Sequence, residues 1–122
     1  MVAPEGVMAK VDGNGVADDE PKRMHIISRR KLREFSQDHP DAREALDHWY
    51  NAARKAIWRN FSDLRATFGS ADQVGHFVVF NIGGKKYRLI ARIYYKDAVL
   101  LIRHVLTHKE YDRGDWKSDP EP

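Results

Sequence analysis

There is no cysteine among the 122 residues. That absence excludes a disulfide and a thiolate-held metal. Small secreted domains commonly lean on disulfides, so the same absence points to a reducing compartment, the cytoplasm. No apolar run approaches the roughly 20 residues needed to cross a bilayer, so no membrane is expected as a partner. A signal peptide is also missing, because the first 23 residues hold no apolar core and Asp18, Asp19 and Glu20 stand where a cleavage site would fall. No internal repeat is visible, and the length suits one domain.

What the chain does hold is charge, unevenly placed. Residues Met24 to Lys117 carry 18 Lys and Arg against 11 Asp and Glu, a net of +7, whereas the whole chain is only +3. The first 23 residues and the last five are the acidic parts. A small basic domain points to a polyanion, most often nucleic acid. The competing reading is that many small domains are mildly basic and bind nothing anionic.

The pattern divides the chain in three. Residues 1–23 carry Pro4, Gly6, Gly13, Gly15 and Pro21 with scattered acids and no periodicity, which reads as a disordered leader. Residues 24–117 are the patterned domain, and 118–122 form a short polar, flexible tail. In the domain, His25-Ile26-Ile27 suits a first strand. Ser28 is a candidate N-cap for a helix running to Gln37, and His39-Pro40 stops it. Asp41 is the candidate cap of a second helix over Ala42–Trp58, where Ala45, Leu46, Trp49, Ala52, Ala53, Ala56 and Ile57 recur at three and four. Trp49 and Trp58 fall on or beside that apolar face and read as core. Phe61–Leu64 reads as a turn or short helical piece, and Gly69–Asp72 as a break. Phe77–Ile82, Lys86–Tyr95 and Val99–Thr107 are three β runs, joined at Gly83-Gly84 and Lys96-Asp97. The last run is dense in Val, Leu and Ile, so burial on much of both faces is expected. The order is β-α-α-β-β-β: an α+β fold with an antiparallel sheet and two helices on one face.

Three segments carry a resemblance. Met24-His25-Ile26-Ile27-Ser28, Val79-Phe80-Asn81-Ile82-Gly83-Gly84-Lys85-Lys86-Tyr87-Arg88-Leu89, and Ile102-Arg103 through Thr107-His108-Lys109-Glu110-Tyr111-Asp112 look like the HigB family of type II toxin–antitoxin systems, within the RelE/ParE-like superfamily. The resemblance runs from Met24 to about Trp116. It implies a RelE-like fold, endonucleolytic cleavage of mRNA on the ribosome or free of it, no cofactor, and neutralisation by a HigA-type helix-turn-helix antitoxin. It also implies that Arg88, His108 and Tyr111 line the site, since they match the arginine of the Tyr87-Arg88-Leu89 strand and the basic residue and tyrosine near the C-terminus. Arg103 matches a further arginine position.

The chemistry asks for just such residues. An RNA strand is cut without metal when its 2′-hydroxyl attacks the adjacent phosphorus and the 5′-oxygen leaves. That needs a base, an acid and cations around the phosphoryl oxygens. Arginine matches phosphate through its planar fork, histidine titrates near neutrality, and aromatic rings stack on unpaired bases. Residues 85–113 hold eight basic side chains against the three acids Asp97, Glu110 and Asp112. Arg88, His108 and Tyr111 are therefore the candidate catalytic set, with Lys85, Lys86, Arg92 and Arg103 as candidate substrate contacts. Each has a plainer alternative. Arg88 and Arg92 share a strand face that solvent alone could claim, Arg103 could pair with an acid such as Glu34 or Asp47, and Tyr111 could merely cover the sheet edge. His104 and His108 have the spacing of two helical zinc ligands, but on a strand they stand roughly 13 Å apart, too far for one metal. Two other functions suit the same architecture: a ParE-like inhibitor of a topoisomerase without nuclease activity, and a basic nucleic-acid-binding module.

Overall fold

The computed structural model describes residues 22–120. Most of the leader and the last two residues of the tail lie outside them. Five strands and four α-helices follow in the order β1 (His25–Ile27), α1 (Arg30–Asp38), α2 (Arg43–Lys55), α3 (Phe61–Thr67), β2 (Asp72–Val74), β3 (Phe77–Ile82), β4 (Tyr87–Tyr94), β5 (Val99–Thr107) and α4 (His108–Arg113). Single 3-10 turns occupy Pro40–Ala42 and Asp115–Ser118. The α+β class expected from the sequence is what the chain adopts.

The sheet order is β1-β5-β4-β3-β2. The expected meander of β3, β4 and β5 is present, each pair antiparallel. The sheet as a whole is mixed, because β1 lies parallel to β5. A parallel neighbour needs a long crossover, and the helices between β1 and the meander supply it. A strand missed by the sequence reading, β2, turns back through Gly75 (φ 60°) to pair with β3. Its Asp72 and Gln73 are exposed, so it shows no apolar alternation to read.

Local chemistry explains where the helices differ from expectation. Ser28 does not cap α1. It leaves β1 with φ 73°, a left-handed conformation, and Arg29 takes the N-cap position without a side-chain bond. Asp41 does not cap α2 either: it sits within the 3-10 turn, and its carboxylate turns to Lys86 and Tyr87. The second helix stops at Lys55 because Ala56 is extended (ψ 151°), so Ile57 and Trp58 lie beyond it. The piece at Phe61 is a helix in its own right. Asn60 accepts from the Asp63 N–H at 2.9 Å while Asp63 accepts from the Arg59 N–H at 2.9 Å, which satisfies orphan donors at its start.

The strands pack on both sides. Leu32, Leu46, Trp49, Ala53, Trp58 and Leu64 from the helical side meet Val78, Phe80, Ile82, Leu89, Leu100 and Ile102 in the main core. Trp49 and Trp58 are core, as their spacing indicated. On the other face Phe77, Val79 and Ile90 are covered by Trp116. The strands buried on both sides are therefore β3 and the central β4 rather than β5: Phe77 through Phe80 and Tyr87 through Ala91 are all buried, whereas β5 has only Leu100 and Ile102 buried.

Candidate functional site

The face of the sheet away from α1–α3 carries Arg88 and Arg92. Along β4, Arg88, Ile90 and Arg92 point to this side by strand alternation, since Ile90 belongs to the cluster under Trp116 while Leu89 and Ala91 belong to the main core. The segment after β5 folds back over the same face. Thr107 starts α4 with a capping box: its hydroxyl accepts from the Glu110 N–H at 3.2 Å and the Glu110 carboxylate accepts from the Thr107 N–H at 2.9 Å. Gly114, with φ 79°, ends the helix in the left-handed region that a side chain resists.

That return places Tyr111 over Arg88. The guanidinium carbon lies 4.9 Å from the ring centroid, within cation–π range. Tyr111 stacks in turn on Trp116, with centroids 5.3 Å apart and planes 12° from parallel. The Trp116 indole N–H donates to the Tyr111 carbonyl at 3.0 Å. Arg88 is only 8% exposed. One amino group donates to the Lys85 carbonyl at 2.6 Å. Among the described residues no carboxylate pairs with it. A buried cation without a counter-ion is costly unless something anionic completes it. The plainer reading of Arg88 as one residue of a solvated strand face does not hold.

His108 opens α4 three residues before Tyr111, so the two are neighbours along the helix surface. Its Nδ1 lies 2.8 Å from an Asp112 carboxylate oxygen, and both side chains are exposed. A recess of about 190 Å³ on this side is lined by His104, Leu106, Glu110, Arg113, Asp115 and Trp116. Neither that recess nor the grooves of about 520 and 730 Å³ on the helical side takes in any of the seven candidates, while a groove of about 270 Å³ beside α1 takes in Arg103.

Of the other four candidates, Lys85 meets Arg88 through its backbone carbonyl, while the side chains of Lys86 and Arg103 are tied to acids. Arg92 stands beyond the Trp116-covered Ile90; it donates to the His76 carbonyl at 3.1 Å and lies over Tyr94 at 5.3 Å. Lys85 is exposed in the turn after Gly84. Lys86 turns toward the helical layer and pairs with Asp41, which also accepts from the Tyr87 hydroxyl at 2.7 Å. These contacts hold the Asp41 carboxyl below its ordinary range, chiefly through Lys86 and then Tyr87, and raise Lys86 and Tyr87 chiefly through Asp41.

Arg103 has an acid partner, but neither Glu34 nor Asp47. Between Ile90 and Ala91 the register slips, so Ile90 faces His104, Ala91 faces Ile102, and Arg103 is the extra residue of a bulge. A bulge re-aims a side chain. Here it lets Arg103 and His104 reach one carboxylate, Asp119. The Arg103 Nε and Nη2 donate at 3.0 and 2.7 Å to its two oxygens, and the His104 Nε2 lies 2.7 Å away. The Asp119 side chain is 5% exposed. His104, on β5, is thus tied to Asp119 while His108 starts α4, and no group of metal-ligating residues is found among the described residues.

Sequence reasoning missed Trp116 and Asp119. Both lie in a short polar stretch where no periodicity marks a buried residue. The one available signal was an aromatic residue five positions after Tyr111.

Residues 42–114 match the sequence profile of the HigB toxin family, described as the RelE-like toxic component of a toxin–antitoxin system. The chain is 32% identical over 92 residues to the mRNA interferase toxin HigB of Escherichia coli strain K12, covering 73% of this chain and 88% of that protein. The mRNA interferase HigB of Shigella flexneri gives the same figures. That of Escherichia coli O6:H1 is 27% identical over 93 residues, covering 74% of this chain and 90% of its own. The matched region contains the Arg88 strand, the Tyr111 helix and the hairpin between β3 and β4. The chain belongs to the HigB toxin family.

Proposed function

We propose that this protein is the toxin of a type II toxin–antitoxin pair and acts as an endoribonuclease on mRNA. The observation that carries the reading is Arg88: a buried guanidinium under a tyrosine ring, with no carboxylate paired to it among the described residues. A phosphate is a ligand that suits such a group, because the planar guanidinium fork matches two phosphoryl oxygens. Kinship with proteins named mRNA interferases supplies the substrate class.

The reaction is metal-independent general acid–base chemistry. The 2′-oxygen forms its bond to phosphorus as the bond to the 5′-oxygen breaks. The 2′-hydroxyl proton passes to a base and the leaving oxygen takes a proton from an acid. Arg88 holds the phosphoryl oxygens as charge develops on them. His108 serves one end of the proton transfer, with Asp112 orienting its ring. Tyr111 holds Arg88 in place and offers its hydroxyl near the phosphate. Its ring already touches Trp116 and Arg88, which favours that role over stacking on a base. Lys85 and Arg92 extend the positive field along the strand that the RNA follows. The mRNA is presented on the ribosome, the setting is the cytoplasm, and the neutralising partner is a HigA-type helix-turn-helix antitoxin. No helix among the described residues is long and apolar enough to cross a membrane.

The test is cleavage of a defined mRNA by the purified chain, with and without translating ribosomes. New 5′ ends with ribosomes are expected. Intact mRNA in both cases, together with inhibition of supercoiling by gyrase, would instead establish the ParE-like reading. Salt-sensitive RNA binding without scission would leave a binding module.

A further inference from the structure

We infer that Arg103 is a positioning residue for the site, acting through Asp119 rather than on the RNA; the kinetic part of this inference rests on the nuclease reading above. Arg103 and Asp119 form a two-pronged charged pair, and His104 holds the same carboxylate. Asp119 sits at the end of the 3-10 turn that carries Trp116, and its N–H donates to the Trp116 carbonyl at 3.2 Å. Trp116 is 4% exposed and packs edge-on against Phe77, with centroids 6.1 Å apart. Its other attachment is Tyr111, through the ring stack and the indole hydrogen bond. Tyr111 lies over Arg88.

These contacts make a continuous path from the bulge on β5 to the buried guanidinium on β4. The turn itself is short, starts at a left-handed glycine and has no side-chain cap. Nothing intrinsic to four residues of 3-10 turn fixes its angle on the sheet. The clamp on Asp119 does so at one end and the Trp116 stack does so in the middle. The bulge has its reason here, because regular alternation would send Arg103 and His104 to opposite faces. In the bulged strand both reach the same acid. Arg103 thereby spends its paired donors on a buried carboxylate, which sets it apart from Arg88.

The experiment compares the full chain with Arg103→Ala, Asp119→Ala, the double variant and Arg103→Lys. Two quantities are read: kcat and KM for mRNA cleavage, and the near-ultraviolet circular dichroism of the Tyr111–Trp116 ring pair. Displacing a catalytic group by about 1 Å costs on the order of a hundredfold, so kcat should fall about ten- to a hundredfold in each alanine variant with KM unchanged. The double variant should be no worse than Asp119→Ala alone, because both residues act through one link. Arg103→Lys keeps the charge and loses the paired geometry, so it should restore only part of kcat and of the ring signal. A raised KM for Arg103→Ala that persists in the Asp119→Ala background would overturn the inference and make Arg103 an RNA contact. Should the parent chain cut no RNA, the nuclease reading fails by itself and the ring signal decides the remainder. A weakened signal in Arg103→Ala and Asp119→Ala supports the clamp; an unchanged one refutes it.

Discussion

The guanidinium of Arg88 and the ring of Tyr111 lie 4.9 Å apart although 22 residues separate them in the chain. The strand β5 runs back beside β4, and the capping box at Thr107 then turns the chain across the sheet at once. The contact covers the cation on one side, and no acid among the described residues pairs with it. Its expected consequence is that charge alone is not enough. Arg88→Lys should lower mRNA cleavage by about a hundredfold or more, the scale for losing one oriented donor to a developing oxyanion. Far-ultraviolet circular dichroism of the variant should match the parent. Cleavage at the parental rate would remove Arg88 from the mechanism.

His108 and Asp112 make the second prediction. A general acid or base contributes on the order of 10²–10⁴-fold, so His108→Asn should lose most cleavage while the helix persists, because the cap lies in Thr107 and Glu110. Asp112→Asn should weaken cleavage less, since it keeps a hydrogen-bonding group beside the imidazole but loses the charge. Equal, small effects of both substitutions would assign the pair to the helix surface alone.

The Asp41, Lys86 and Tyr87 contacts predict a stability profile with two edges. Asp41 is depressed below 3.8, so its contribution is present above that value and is lost as pH falls through the lower folded value. Lys86 is raised above 10.5 and Tyr87 above 10.0. Their contributions are present below those values and disappear as pH rises through the higher folded ones. Asp41→Asn should therefore lower Tm at neutral pH, and the gap to the parent should close toward acid. The measurement is a thermal melt across pH. A gap that stays constant into acid would mean that the carboxylate is not what fastens the hairpin.

Trp116 provides a prediction about packing. Removing a buried tryptophan costs about 3–5 kcal/mol, and Trp116→Ala also withdraws the cover from Ile90, Val79 and Phe77. Urea unfolding should show a lower midpoint, with cleavage reduced even where the variant remains folded. A loss below about 1 kcal/mol would show that the 3-10 turn is not part of the folded unit.

Much of the frame was readable because strand and helix patterns are local. Gly83 and Gly84 both adopt positive φ, so the hairpin announced itself. Leu46, Trp49 and Ala53 recur on one helical face, and Arg88 falls in a strand whose neighbours are apolar. What the pattern could not supply was pairing set by tertiary contact. Ser28 and Asp41 are good capping residues by type, yet one is turned left-handed at a strand exit and the other is drawn to Lys86. The bulge at Arg103 changes one residue's direction without any change in composition, so its acid could not be named from the sequence. The resemblance identified Arg88, His108 and Tyr111 together. Only the fold showed that Arg88 and Tyr111 touch, that His108 lies on the same helix as Tyr111, and that Lys86 and Arg103 pair with acids.

The claim on which the account rests is that this face of the sheet cuts messenger RNA. Primer-extension mapping of cellular mRNA after induced expression reads it directly. The account predicts discrete new 5′ ends with the parent chain and none with a folded Arg88→Ala variant at equal abundance. Identical ends from both, or none from either while growth still stops, would contradict it.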